Sequence, residues 1–284
     1  MKKKWYKGKV FIITGATGDI GSEICRTFAP LGMRMYLLDL PGSPFNKLKE
    51  ELLDLGAEHV ESLPFDVTNK EQVKSVLKQI GEKEKYIDIL INNAGIGNKC
   101  SITNNGDFEE YRKLMSINVD GMWLVLQAAL PYIGRPNQLK KNPDARIGQL
   151  IFMSSSAGKT GVPYMAAYAM SKAAIIALAN SVRLEYKMSN QKIDVITIVP
   201  APANTKFYSS PELKDWIVGY KKRGFLFQLV EAKDVARRVF QASRKHKKEV
   251  FVPRWWKLLD ILHVMSHGLI GNLLIKIEKK NSNL

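Results

Sequence analysis

Seven short β-rich runs, most of them largely apolar, punctuate the chain and constrain its fold more than any other feature. They are "KVFIIT" (9–14), "MRMYLLDL" (33–40), "VESLPFDV" (60–67), "IDILINNAG" (87–95), "IGQLIFMSS" (147–155), "KIDVITIVP" (192–200) and "EVFVP" (249–253). A strand with one wet face alternates apolar and polar residues, whereas a run apolar throughout is covered on both faces. The segments between the runs, such as Ser22 to Leu31 and Asn46 to Leu55, are long enough for helices. Strand and helix alternating in this way predict an α/β fold. The expected form is a doubly wound parallel sheet with its ligand site beyond the carboxyl ends of the strands. Lys140 to Gln149 reads as a polar surface insertion before one strand.

The first run flows directly into "GATGDIG", and the junction of strand, glycine turn and helix specifies a chemistry as well as a shape. Glycine permits positive φ and lets backbone N–H groups approach a pyrophosphate at a helix N-terminus. Gly15 makes the turn, Gly18 supplies the close approach, and Gly21 lets the helix pack on the strand. Thr17, Asp19 and Ile20 complete the turn. Asp19 sets a carboxylate near the expected pyrophosphate, a repulsion unless it points away. The second run ends in Asp39, at the spacing at which a carboxylate can accept the hydroxyls of an adenosine ribose. It would repel a 2′-phosphate, and Leu40, Pro41 and Gly42 bring no compensating cation, so NAD is favoured over NADP. The basic N-terminus is not read as a secretory signal, because its apolar run is too short and has no small-residue cleavage site.

The reactive groups fall in "SSSAGKTGVPYMAAYAMSK". Tyr168 and Lys172 are four residues apart and share one helix face. A neighbouring ammonium favours phenolate, so the tyrosine pKa is expected to fall from about 10 toward the working range. Such a tyrosine can give a proton to a carbonyl oxygen or take one from an alcohol. Ser155, at a strand end, could polarise the same oxygen. Ser154 and Ser156 compete for that role on sequence alone.

Taken in order, these motifs resemble the short-chain dehydrogenase/reductase family from about Lys9 to Pro253. "TGATGDIG" resembles its cofactor turn in a variant spacing. Asp66 and Val67 are similar to its adenine contact, and Asn93, Ala94 and Gly95 of "NNAG" to its turn after the fourth strand. Asn118 in "SINVDG" resembles the asparagine that holds a water linked to the catalytic lysine. Pro200 to Thr205 resembles the segment bordering the nicotinamide, with Ala201 in place of the usual glycine. The resemblance implies a Rossmann-fold oxidoreductase interconverting a secondary alcohol and a ketone. Tyr168 would be the acid/base, Lys172 its activator and ribose anchor, Ser155 the oxyanion partner and Asn118 the relay support. Pro200 and Thr205 would touch the cofactor. It further implies a homo-oligomer. The competing classes are a dinucleotide-binding scaffold or redox sensor without turnover, and a membrane-recruited interaction protein.

Composition enters through charge and cysteine. A net charge of +16 asks for an acidic partner. The sequence carries no helix-turn-helix, zinc-finger or RNA-binding aromatic pattern, so nucleic acid is not expected. Two cysteines, Cys25 and Cys100, form no disulfide framework and suit a reducing, cytoplasmic compartment. Cys25 is expected to pack inside, and Cys100 to lie near the site mouth. His263 and His267 make a poor metal pair, and no metal is expected. Tyr164 is a candidate for the substrate cleft.

The chain divides into a catalytic domain, 1–253, and a basic amphipathic tail, 254–284. Trp255, Leu258, Leu259, Leu262, Met265, Leu269 and Leu273 fall near one helical face, flanked by Arg254, Lys257, Lys279 and Lys280. Its uncharged run, Ile261 to Ile275, is shorter than the roughly 18–20 residues of a span, and Gly268 and Gly271 interrupt it. It reads as a helix lying on an anionic membrane surface, with packing on the protein's own pocket or a subunit as the competing arrangement. The tail resembles that of membrane-associated members of the family, which points to a small apolar alcohol or ketone as substrate and to a peripheral membrane location.

Overall fold

The structure, a computed structural model, describes residues 5–98, 102–103, 106–135, 147–208, 213–214, 217 and 228–266. Its strands are β1 (Val10–Thr14), β2 (Arg34–Asp39), β3 (His59–Pro64), β4 (Ile89–Asn92), β5 (Gly148–Met153), β6 (Ile193–Pro200), β7 (Ala203–Asn204), β8 (Val230–Glu231) and β9 (Glu249–Val252). The helices are α1 (Asp19–Phe28), α2 (Phe45–Asp54), α3 (Lys70–Glu84), α4 (Phe108–Met115), α5 (Gly121–Ala129), α6 (Ala166–Met188), α7 (Ala232–Arg244) and α8 (Trp256–Met265). A seven-stranded parallel sheet runs in the order β3-β2-β1-β4-β5-β6-β9, and β7 pairs separately with β8.

The two-sided burial of β1 shows why its sequence is apolar throughout. Phe11 and Ile13 face a cluster with Ile24 and Phe28 of α1, Leu48 of α2 and Val239 of α7. Val10 and Ile12 face the opposite cluster, with Leu77 of α3, Val125 of α5 and Ile175 of α6. Each large side chain fully buried contributes about 1.5–3 kcal/mol, and no residue of β1 is wet. The chain enters at the sheet centre, builds outward to β3, then returns to lay β4 beside β1. That reversal opens a crevice at the carboxyl ends of β1 and β4.

Helix α1 starts at Asp19, three residues before the expected Ser22, because Gly18 takes the N-cap in an extended conformation. The expected polar insertion is also corrected at its end. Ile147 and Gly148 are buried, and Gln149 is fully buried in β5; residues 140–146 lie outside the described residues. Gln149 tolerates burial because its amide is matched. Ser243 Oγ donates to its Oε1 at 2.5 Å, and its Nε2 donates to the Ser243 carbonyl at 3.0 Å and to Asp194 Oδ2 at 3.3 Å. The same Ser243 hydroxyl bonds Tyr6 Oη at 2.9 Å, so the first described turn and α7 are joined through the interior.

Helix α8 rests on the sheet edge through Trp256, which packs against the core. Lys159 lies 2.7 Å from Glu249 and 3.9 Å from Asp260 of the helix. The outward side exposes Leu258 (63%), Leu262 (48%) and Met265 (79%), together with Ile261 and Val264. Leu259 and Trp255 are half-buried. Among the described residues no helix is long and apolar enough to cross a membrane, and no group of three metal-ligating side chains occurs. Cys25 is buried, which raises its thiol pKa. Cys100, His267, Gly268, Leu269, Gly271, Leu273, Lys279 and Lys280 lie outside the described residues.

Candidate active site

A cavity of about 680 Å³ opens at the β1–β4 crevice. Of the residues singled out from sequence, Gly15, Thr17, Gly18, Asp19, Ile20, Gly21, Asp39, Asp66, Val67, Asn93, Ala94, Gly95, Ser155, Tyr168, Lys172, Pro200 and Thr205 all line it. Asn118 is buried behind its wall.

At one end the backbone makes the surface. Gly15 has φ +64°, and a Cβ on Gly21 would lie 2.0 Å from the Gly15 carbonyl oxygen. Gly18 is different, since a Cβ there would meet only that oxygen, at 3.5 Å. As N-cap it gives α1 no side-chain cap, so the helix presents its first turn and positive dipole end to the cavity. Thr14 fixes the neighbouring turn, its hydroxyl oxygen accepting from the Asn93 and Ala94 N–H groups at 3.0 Å each. Asn93 Nδ2 returns bonds to the carbonyls of Thr14 and Gly15.

Asp39 is already engaged. Its Oδ2 accepts from the Thr17 N–H at 2.8 Å and the Thr17 hydroxyl at 2.6 Å, and Oδ1 accepts from the Leu40 N–H at 2.9 Å. A carboxylate offers about four acceptor sites, so both hydroxyls of a ribose fit only if Thr17 yields one. Asp66 is held in a turn by the N–H and hydroxyl of Thr68. Asp19 does not face a bare cavity, because its Oδ2 accepts from the backbone N–H of Lys206 at 2.5 Å.

At the other end side chains make the surface. Lys172 is buried on α6, with Nζ 3.2 Å from the Met153 carbonyl and 5.6 Å from the centre of the Tyr168 ring. Burial pushes its pKa down to about 8. The expectation for Tyr168 is reversed. Burial pushes its phenol up to about 12, and a hydrogen bond with Ser155 offsets this only in part. Desolvation of the buried phenolate therefore dominates.

Geometry also separates the serines. Ser154 donates to the Lys172 carbonyl at 2.8 Å and ties α6 to β5. Ser156 begins the 3₁₀ turn Ser156–Gly158, and of the three Ser155 is the one that bonds the Tyr168 side chain.

Asn118 sits in a π-turn, Ser116–Asp120. Its Oδ1 accepts from the Ile96 N–H at 2.8 Å, and its Nδ2 donates to the Ile96 carbonyl and to Ser171 Oγ. Both amide hydrogens are thereby used, which leaves only Oδ1 and the backbone for any further contact. Gly95 is squeezed between the two, since a Cβ there would lie 3.0 Å from Asn118 Oδ1 and 3.4 Å from Lys172 Nζ.

Ala201 is buried with an ordinary backbone and donates its N–H to the Val252 carbonyl at 2.7 Å, so this position does not need glycine. Tyr164 is 38% exposed and does not line the cavity. Sequence reasoning missed Phe207, whose ring stands 5.6 Å from that of Tyr168 and occupies the space a side chain on Gly97 would need.

The short-chain dehydrogenase family model matches residues 9–214, spanning the sheet centre and every catalytic candidate. The chain belongs to the short-chain dehydrogenase family. As a short-chain dehydrogenase it is an oxidoreductase, and its relatives carry that description. It is 36% identical to the oxidoreductase UcpA of Escherichia coli K12 over 192 residues, covering 66% of this chain and 68% of that one. It is 29% identical to the dehydrogenase/reductase SDR family member 7B of Mus musculus over 289 residues, covering 98% and 84%. Two solved structures share the fold. One is a short-chain dehydrogenase/reductase from Burkholderia phymatum in complex with NAD (TM-score 0.79, 21% identity, 95% and 96% covered). The other is an NAD⁺-bound xylitol dehydrogenase (TM-score 0.73, 24% identity, 87% and 98% covered).

Proposed function

We propose that this short-chain dehydrogenase binds NAD(H) in preference to NADP(H) and interconverts a secondary alcohol and a ketone on an apolar or lipid-like substrate. One observation carries the reading: a single cavity joins the glycine turn and Asp39 at one end to Ser155, Tyr168 and Lys172 at the other. The residues fit a dinucleotide, since the bare surface at Gly18 and the uncapped N-terminus of α1 suit a pyrophosphate. Asp39 would hold the adenosine ribose, Asp66 and Val67 the adenine, and Pro200 and Thr205 the nicotinamide side. Phe207 and Tyr208 give the cavity an apolar wall.

The bound cofactor supplies or accepts the hydride. Tyr168, protonated at neutral pH, donates from Oη to the ketone oxygen as that oxygen gains charge, and takes the proton back in alcohol oxidation. Ser155 polarises the same oxygen. Lys172 stabilises the phenolate that donation leaves and anchors the nicotinamide ribose, while Asn118 holds the turn that seats the lysine. Steady-state assay on a panel of apolar ketones with NADH tests the reading, with turnover expected on at least one. NADH binding without turnover on any would favour a dinucleotide-binding scaffold or redox sensor.

The chain is further proposed to work in the cytoplasm as a homo-oligomer, with the outward face of α8 on anionic lipid. The exposed Leu258, Leu262 and Met265 beside Arg254 and Lys257 support that contact. Each basic residue near such a surface adds about 1 kcal/mol, and the attraction fades with salt. Protein ending at Pro253 should lose liposome sedimentation while still binding NADH. Equal sedimentation of the full and shortened chains would reject the tail as the anchor. Sedimentation velocity would show a monomer if the oligomer proposal is wrong.

A further inference from the structure

Asp19 sits within the glycine turn, and its carboxylate accepts from a backbone N–H 187 residues away, that of Lys206. Because the donor is backbone rather than the lysine side chain, the bond fixes the path of the chain there. Phe207 follows, with its ring against Tyr168 and in front of Gly97, and Tyr208 meets it edge to face at 5.1 Å. These aromatics belong to a small apolar cluster with Met165, Leu213 and Leu229. Asp19 is the first residue of α1, where the helix dipole holds a negative charge. It is thus anchored on the rigid side of the cavity, and it bonds the segment that forms the other side.

We propose that Asp19 is a positioning residue, a latch that holds the Ala203–Tyr208 segment closed over the cofactor and sets Phe207 against Tyr168. The carboxylate that would repel a pyrophosphate is turned outward and used to retain it. The proposal rests on the reading of the cavity as a dinucleotide site.

The test compares Asp19→Gly, which removes the acceptor, with Asp19→Asn, whose side-chain oxygen can still accept. Amide hydrogen exchange of Lys206, read in cofactor-free protein, should be slowed in the wild type. It should quicken at least about tenfold in Asp19→Gly and stay close to wild type in Asp19→Asn. NADH release, followed by stopped-flow fluorescence, should quicken about five- to tenfold in Asp19→Gly and little in Asp19→Asn. Unprotected Lys206 in the wild type would overturn the latch outright, even if Asp19→Gly failed to fold. Faster exchange with unchanged NADH release would overturn the link to the cofactor. Tighter NADH binding in both variants with unchanged exchange would mean that the carboxylate only repels phosphate. Failure of the wild type to bind NADH would instead sink the dinucleotide reading, and would leave the exchange result to judge the latch.

Discussion

The two ends of the cavity are built from different materials. The glycine-turn end is made of backbone, with Gly15, Gly21 and the Thr14–Asn93 ties fixing where N–H groups stand. The end proposed to be catalytic is made of side chains whose protonation is bent by burial, Lys172 downward and Tyr168 upward. A backbone site tolerates an unexpected side chain such as Asp19, provided the side chain leaves the turn geometry intact. A side-chain site has no such latitude, because its chemistry resides in individual atoms.

The comparison is sharpest at Tyr168. Replacement by Phe removes the transferable proton and almost nothing else, so turnover should fall by about 10²–10⁴-fold. NADH affinity by fluorescence titration should stay within about twofold of wild type. Turnover at the wild-type rate would show that the proton comes from another group.

The backbone end should break through shape. Gly21→Ala places a Cβ 2.0 Å from a carbonyl oxygen, whereas Gly18→Ala meets its nearest atom at 3.5 Å. Overpacking costs about 1–3 kcal/mol, so Gly21→Ala should weaken NADH binding roughly 10- to 100-fold, and Gly18→Ala by less. The reverse order, measured by titration, would undo the account of the turn.

The pH profile probes the catalytic end without mutation. Lys172 carries its proton below about pH 8 and loses it above. Reductive kcat/KM should therefore hold through neutral pH and fall above about pH 8, by at most roughly tenfold per unit. The phenol, raised to about 12, remains protonated over that range. Lys172→Arg should move the fall upward, since guanidinium keeps its charge. A flat profile from pH 7 to 10 would remove Lys172 from the rate.

The smallest effect is expected at Asp39, where Thr17 already shares the carboxylate. NADH should bind about tenfold more tightly than NADPH, or roughly 1.4 kcal/mol, and Asp39→Ala should narrow that gap. Tighter NADPH binding by the unmodified protein would contradict the assignment.

Much of this was legible in the sequence, because burial on both faces writes itself as unbroken apolar runs and a tight turn writes itself in glycine. The central strands and the glycine turn were readable for that reason, whereas Ser155, Tyr168, Lys172 and the other cavity residues were read from their motifs and the family resemblance. What stayed hidden depends on distant segments meeting. The rise in the Tyr168 pKa comes from desolvation, which spacing four residues from a lysine cannot reveal. The family resemblance chose Ser155, but the reason Ser154 is unavailable, a bond spent on the Lys172 carbonyl, shows only in the fold. The burial of Gln149 required Ser243, 94 residues away, as its partner. Phe207 and the Asp19–Lys206 contact left no local signal at all.

The bond between Tyr6 and Ser243 has a consequence for the order of events at the ribosome. The two residues are 237 positions apart, so a chain growing from its N-terminus exposes Tyr6 long before its partner has been made. The β1 strand, the glycine turn and α1 can assemble early, while the segment before them waits for α7 to emerge. The interior lock therefore closes among the last steps. Until then the Tyr6 hydroxyl lacks the partner that satisfies it beside the rings of Phe28 and Phe240, and synthesis has to reach almost the end of the fold before that bond can form.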